Sequence, residues 1–176
     1  MNFQKTHRKA VQGDAHEQFA LGAMYRLGIC VQGDYKEALK WYLKAAEQGH
    51  EFAQHDIGLM YATGEGVPWD CNEAAKWFQK AAEQGHEEAQ YQLGVMYYIG
   101  QGVPKDDAEA VKWFQKAYDQ GMFLARGYLE HVQTAMQREK CERYVWGLPS
   151  LEELGRNEAT EDEGEEEIQT RRRRKL

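Results

Sequence analysis

The residues that most often act as nucleophiles are scarce in this 176-residue chain. Ser150 is its only serine, and Cys30, Cys71 and Cys141 are its only cysteines. Serine enzymes that recognise penicillin carry a Ser-x-x-Lys motif, but Glu153 stands where that lysine would be. A catalytic cysteine needs a thiolate beside a histidine, and the cysteines show no such recurring arrangement. We therefore predict no catalytic residue.

The histidines do not predict a metal site. His50 and His55 are the closest pair in the sequence. Five residues apart on a helix, they would point about 140° away from each other. No Cys-x-x-Cys and no His-Glu-x-x-His motif is present, although these are common zinc signatures. His50 and His86, which follow glycines that end helices, are predicted to be turn residues. We expect neither a metal ion nor another cofactor.

The elements that would position any site repeat every 36 residues. A fixed period of about 20–50 residues is typical of stacked arrays of small units, which usually present a long surface to a partner. The positions that recur in all three copies are Gly22, Gly58 and Gly94, Tyr25, Tyr61 and Tyr97, and Trp41, Trp77 and Trp113. The tryptophans could form a ligand cage, but their place on an apolar helical stripe favours core packing.

Residues 50–85 show how one unit is expected to fold. The apolar stripe of its first helix consists of Ala53, Ile57, Met60 and Tyr61. Gly58 lies inside that helix, where glycine is unfavourable, and predicts close approach of a neighbouring helix. Two glycines and a proline in residues 64–68 end the first helix. Asp70 is predicted to cap a second helix, which Gly85 ends.

The first unit departs from this pattern at its loop. Cys30 takes the place of the second loop glycine and Gln32 that of the proline. The loop is therefore expected to follow a different path. Glu17 also replaces an alanine that is found in the other two units.

The recurring residues resemble the Sel-1-like repeat family, relatives of the tetratricopeptide repeats. The resemblance rests on an Ala-x-x-x-Leu/Ile-Gly-x-x-Tyr run, a Gly-x-Gly-Val loop in the second and third units, and an Ala-x-x-Trp-aromatic-x-Lys-Ala run that closes on Gln-Gly. It covers residues 15 to about 125. It implies an all-α fold, a right-handed α-solenoid of helix-turn-helix repeats that serves as an interaction scaffold.

The expected organisation follows from the period. It comprises an N-terminal capping half-repeat (1–14), three repeats (15–50, 51–86 and 87–122), a C-terminal capping helix (123–149) and a disordered tail (150–176). The tail combines an acidic run at 158–167 with a basic block from Arg171 to Lys175. Like-charge blocks of this kind are normally disordered.

Charge and hydropathy limit the possible partners. The formal net charge is −7, which does not suit a nucleic-acid-binding array, so nucleic acid is expected at most through Arg171 to Lys175. No apolar run reaches the roughly 18 residues of a membrane span. The cysteines are unevenly placed and the N-terminus lacks a signal-peptide pattern, so we expect a cytoplasmic protein.

The resemblance also predicts where a partner binds. In tetratricopeptide-like stacks the first helix of each unit lines the concave face, and positions that read a partner are free to differ between units. The predicted protein-binding positions are Phe19, Ala23, Arg26, Phe52, His55, Leu59, Ala62, Glu88, Tyr91, Val95 and Tyr98, with His16 beside them. The alternative binding surface consists of the lysines that recur along the second helices, where they could bind an acidic partner. Glutamates three residues earlier are within ion-pair reach of one set of these lysines.

The predicted function is therefore a non-enzymatic adaptor that binds a peptide or protein. Two alternatives remain open. The first is an immunity or inhibitor protein that sequesters a toxin. The second is a weak β-lactam hydrolase, an activity linked to cysteine-rich relatives that carry regular cysteine pairs. Such pairs are missing from this sequence.

Overall fold

The structure, a computed structural model, describes the backbone of residues 2–145 and the side chains as far as Cys141. This part of the chain is all-helical and contains no strand. Its helices are α1 (Phe3–Val11), α2 (Ala15–Leu27), α3 (Tyr35–Glu47), α4 (Glu51–Thr63), α5 (Cys71–Glu83), α6 (Glu87–Ile99), α7 (Asp107–Asp119) and α8 (Leu124–Val145). We call α2, α4 and α6 the first helices and α3, α5 and α7 the second helices of the three repeats.

An aspartate begins each second helix. The Asp70 carboxylate accepts hydrogen bonds from the backbone N–H groups of Asn72 and Glu73, at 2.9 and 3.1 Å. Asp34 and Asp106 do the same for α3 and α7. These bonds satisfy donors that have no partner within the helix, and losing such a cap typically costs about 1 kcal/mol. The predicted cap at Asp70 is confirmed.

The loop of the first repeat follows the same path as the other loops, so the expected departure at Cys30 is wrong. Cys30 has a φ of 62°, close to the 72° of Gly66 in the second repeat. The N–H of Asp34 donates to the carbonyl of Tyr25 at 2.9 Å, and the equivalent bond of the second repeat measures 3.0 Å. The hydrogen bonds of the loop therefore fix the left-handed conformation, and the cysteine adopts it at some cost in strain.

The recurring glycine of each first helix lies against an aromatic ring of its second helix. A Cβ atom built on Gly22 would lie 2.6 Å from the Tyr42 ring, and one on Gly94 would lie 2.8 Å from the Phe114 ring. Real side chains do not approach so closely. The close helix approach predicted from the glycines is therefore confirmed.

The hydrophobic core is built between repeats as well as within them. One buried cluster joins α3 to α4 and includes Ala45 and Ile57, while the next joins α5 to α6 and includes Ala81 and Leu93. Each cluster thus combines the second helix of one repeat with the first helix of the next. Because helices of 13 residues are marginal alone, each repeat depends on its neighbours for burial.

Buried glutamines add a polar link between repeats. The amide nitrogen of Gln54 donates to the carbonyl of Ala46, and its oxygen accepts from Gln84 at 2.6 Å. Equivalent links join Gln18 to Ala10 and Gln48, and Gln90 to Ala82 and Gln120. Since these buried amides are hydrogen-bonded, they stabilise the stack at little desolvation cost.

The two ends of the array differ from its middle. At the N-terminal end Lys9 of α1 forms a 2.9 Å ion pair with Glu17, which replaces the buried alanine of the other repeats. Residues 1–132 form one compact unit, and a second begins at Gln133, so α8 contributes to both. The predicted tail (150–176) and the last residues of the predicted capping segment lie outside the described residues.

Candidate protein-interaction surface

The first-helix face is the surface formed by the predicted binding positions of α2, α4 and α6. Phe52, at 50% exposure, His16 and Glu88 are exposed, and the other predicted positions are half-buried. Phe19 and Ala23 pack against the cluster that joins α3 to α4, and Tyr91 packs against the cluster that joins α7 to α8. Most of these side chains therefore support the neighbouring helices with one edge and reach solvent with another.

Arg26 is already paired within the array. Its Nε lies 3.1 Å from Oε2 of Glu65, and its Nη1 lies 3.7 Å from Oδ1 of Asp56. Arg26 belongs to the first repeat and both carboxylates belong to the second. It therefore ties adjacent repeats together, and much of its charge is neutralised before any partner arrives.

The first histidine seam joins His50 to His16 and Phe19. His50 caps α4, because its Nδ1 accepts a hydrogen bond from the N–H of Ala53 at 3.3 Å. Its ring stacks on Phe19 with centroids 4.7 Å apart and meets His16 edge-on at 4.9 Å. His50 Nε2 lies 3.0 Å from His16 Nδ1. Burial and the neighbouring His16 lower the pKa of His50.

The second histidine seam repeats this arrangement one unit further on, joining His86 to His55 and Phe52. His86 caps α6 by accepting from the N–H of Ala89 at 3.3 Å. Its ring stacks on His55 at 4.5 Å and meets Phe52 edge-on at 4.8 Å. Burial, with the adjacent His55, lowers the pKa of His86. In both seams the residue that caps a first helix rests on two rings of the first helix before it.

A tyrosine cluster occupies the face between α6 and α8. Tyr128, which is 38% exposed, stacks on Phe114 with centroids 5.2 Å apart. Tyr91 and Tyr98 meet Tyr128 edge-on at 5.9 and 6.1 Å, and His131 meets Tyr98 at 6.1 Å. Burial, followed by Tyr128, raises the pKa of Tyr91. The cluster combines apolar area with hydroxyl groups, as binding surfaces often do.

The second helices present a different, charge-paired surface. Lys76 pairs with Glu73, and Lys80 lies over the Trp77 ring, 3.9 Å from its centroid. The same contacts recur in the other repeats, at Lys40 with Glu37, Lys112 with Glu109, Lys44 with Trp41, and Lys116 with Trp113. Exposed pairs of this kind contribute little to stability. Trp41 and Trp113 are buried as predicted, whereas Trp77 is half-buried.

The residues considered for chemistry are not gathered into one site. Cys30, Cys71 and Cys141 are free, and Cys71 Sγ accepts a hydrogen bond from the Gln101 amide at 3.0 Å. Among the described residues, no group of three or more His, Cys, Asp or Glu side chains is placed to hold a metal ion. No helix in the described part of the chain is long and apolar enough to cross a membrane. Ser150 and the basic block lie outside that part.

Sequence reasoning missed three features of this surface. Spacing within one helix does not show that His50 meets His16, or that His86 meets His55, between successive first helices. It also left out Tyr128. A comparison of positions between adjacent repeats could have revealed the seams, because His16 and Phe52 are equivalent and so are the two caps.

The stacked helix pairs define a helical solenoid of the repeat-protein class. The Sel1 repeat family matches residues 18–50, 52–86 and 87–122. The chain belongs to the Sel1 repeat family, as its resemblance predicted. No curated protein matches the chain. Sel1 repeats generally act in protein–protein interaction and form a scaffold that is generally not enzymatic.

Solved structures with this fold include proteins from three bacteria. A protective antigen of uropathogenic Escherichia coli strains, which displays an SLR fold, is 45% identical over 69% of this chain, with a TM-score of 0.67. The match spans only 26% of that protein. A Sel1 repeat protein from Oxalobacter formigenes is 38% identical over 73% of this chain and 96% of its own, with a TM-score of 0.69. Cysteine rich protein B of Helicobacter pylori is 29% identical over 69% of this chain and 93% of its own, with a TM-score of 0.57.

Proposed function

We propose that this protein is a non-catalytic adaptor that binds a peptide segment of another protein across the first-helix face. The observation that carries the proposal is the tyrosine cluster of Tyr91, Tyr98 and Tyr128. Tyr91 and Tyr98 meet Tyr128 edge-on at 5.9 and 6.1 Å, and Tyr128 stacks on Phe114 at 5.2 Å. Aromatic side chains that are fixed in this way lose little conformational freedom on binding, and such residues tend to dominate binding energy.

The variation between repeats supports the same proposal. The equivalent positions His16, Phe52 and Glu88 carry an imidazole, a phenyl ring and a carboxylate, whereas the core glycines and tyrosines recur unchanged. A purely structural surface would not need different chemistry at each repeat. A peptide lying along the face would meet a different side chain at each step, which gives specificity.

The free thiols support a reducing compartment such as the cytoplasm.

A binding comparison tests this proposal. Partners are captured from lysate on the wild-type protein, purified, and measured by titration against wild type and the Tyr91→Ala/Tyr98→Ala variant. Trp69→Ala is the matched control, because Trp69 is 62% exposed but lies in the loop between α4 and α5. Circular dichroism confirms that each variant is folded.

We expect the double variant to bind at least tenfold more weakly, since each lost aromatic anchor typically costs more than about 1 kcal/mol. The Trp69→Ala variant should bind like wild type. Equal binding by wild type and a folded double variant would overturn the assignment of the face. Loss of binding in Trp69→Ala alone would move the interaction to the loop edge.

A further inference from the structure

The cap histidines are held in one protonation state by their hydrogen bonds. Nδ1 of His50 accepts from the N–H of Ala53, and Nδ1 of His86 accepts from the N–H of Ala89. A nitrogen that accepts a hydrogen bond cannot also carry a proton, so each neutral ring has its proton on Nε2. His50 Nε2–H therefore donates to His16 Nδ1 at 3.0 Å. Both caps depend on this neutral tautomer.

A second proton would reverse the role of Nδ1. The protonated nitrogen would face the N–H of Ala53 or Ala89 donor to donor, and the cap would be lost. It would also place a positive charge at the N-terminus of a helix, where the helix dipole already contributes positive charge. The aspartate caps of the second helices carry the opposite charge and do not share this weakness.

The charged and titratable groups around the two caps act in opposite directions. His50 faces His16 on α2, with Glu51 and Asp56 on its own helix. His86 faces His55, Glu51 and Asp56 on α4, and Glu88 on α6, whose Oε2 lies 3.4 Å from Nδ1. The carboxylates favour a protonated ring, but burial first and the neighbouring imidazole second oppose it more strongly. The pKa of each cap is lowered as a result.

We propose that the two histidine seams are an acid-sensitive device that loosens the contacts between adjacent repeats. A cavity of about 440 Å³ opens beside the first seam and is lined by His16, His50 and Phe52, so solvent protons have access. Loss of either cap would also disturb the rings of Phe19, Phe52 and His55, which belong to the first-helix face. The inference stands on the seam geometry and goes beyond the proposed function.

The direction of the effect follows from linkage. Because the folded pKa of each cap lies below its unfolded value of about 6.5, the unfolded chain binds protons first as pH falls. The stability that the neutral caps contribute is complete above pH 6.5. It is lost as pH falls from there through the folded pKa of each cap.

The test compares thermal unfolding of the full chain at pH 7.5 and 5.5 in wild type and in His50→Asn/His86→Asn. Asparagine caps helices well and does not titrate. His131→Asn is the control, because His131 is exposed and contacts Tyr98 at its edge without capping a helix. We expect the melting temperature of wild type and of His131→Asn to fall several degrees further than that of the double variant.

Nitrogen NMR of the wild-type histidines gives a second readout that needs no variant. His50 and His86 should show Nε2-protonated rings at neutral pH and titration midpoints below the ordinary range. An equal drop in melting temperature between pH 7.5 and 5.5 in wild type and the double variant would overturn the proposal. Titration midpoints of His50 and His86 at or above the ordinary histidine value would also overturn it. If the double variant does not fold, the NMR measurement on the wild type alone is the test.

Discussion

A Cβ atom on Gly58 would lie 2.7 Å from Cδ1 of Phe78, the ring that the second helix of the same repeat presses against the first. The relationship recurs in all three repeats and sets how closely the two helices of each repeat approach. Phe78 is almost completely buried, so its ring has little room to move. The helix pair therefore requires glycine at this position despite its poor helix propensity.

Gly58→Ala is predicted to destabilise the protein. Alanine gains about 1 kcal/mol in helix propensity, but overpacking a fixed core typically costs about 1–3 kcal/mol. With the buried ring in the way, we expect a net loss of up to about 2 kcal/mol in the free energy of unfolding, measured by urea denaturation. Gly127→Ala on α8 is the matched control, because a Cβ there meets nothing within 4 Å. It should stabilise the protein, and an equal gain at Gly58 would contradict the packing account.

Gln90→Leu is predicted to weaken the link between the second and third repeats. The side chain is 4% exposed, donates to the carbonyl of Ala82 at 3.1 Å and accepts from Gln120 at 2.7 Å. The carbonyl of Ala82 still accepts from the N–H of Gly85 at 3.1 Å, so the variant loses the two hydrogen bonds of the Gln90 amide. Each is typically worth about 0.5–1.5 kcal/mol, a loss that chemical denaturation can resolve. Gln79→Leu, at an exposed glutamine of α5, should change stability by less than about 0.5 kcal/mol. Equal losses in the two variants would show that the buried amide is not a link.

Cys30→Gly is predicted to stabilise the first repeat. Among the described residues, Cys30 is the one non-glycine residue with a positive φ. The strain of holding a side chain in this conformation costs about 1 kcal/mol or more. Glycine should recover about 1 kcal/mol of this in the free energy of unfolding, although it also makes the unfolded chain more flexible. Cys30→Ala keeps the strain while it removes the thiol. If alanine stabilised the protein as much as glycine, the thiol rather than the backbone would be the source of the effect.

The repeat period was sufficient to predict the fold class. Gly58 and its equivalents predicted the helix approach, and Asp70 predicted a capped second helix, because both depend on interactions within one repeat. The path of the loop at Cys30 was not predictable from residue type alone. Its hydrogen bonds to the helix end outweigh the preference of cysteine for negative φ.

The histidine seams show why the rest of the surface was harder to predict. His50 meets His16 and Phe19 because the start of α4 lies beside α2 in the next layer of the stack. That contact joins positions that are not equivalent and lie 34 residues apart. Periodicity within one helix carries no information about it. The half-buried residues that a partner contacts depend on the partner itself. Their assignment to the binding face therefore stays a prediction.

Site-specific photocrosslinking shows whether a bound partner lies on the first-helix face. A photoreactive phenylalanine analogue replaces either Phe52, which is 50% exposed on the first-helix face, or Trp69, which is 62% exposed on the loop. Both sites are aromatic and at least half exposed, and circular dichroism checks that each variant is folded. We expect the purified partner to be crosslinked from position 52 and not from position 69. Crosslinking from position 69 with none from position 52 would contradict it.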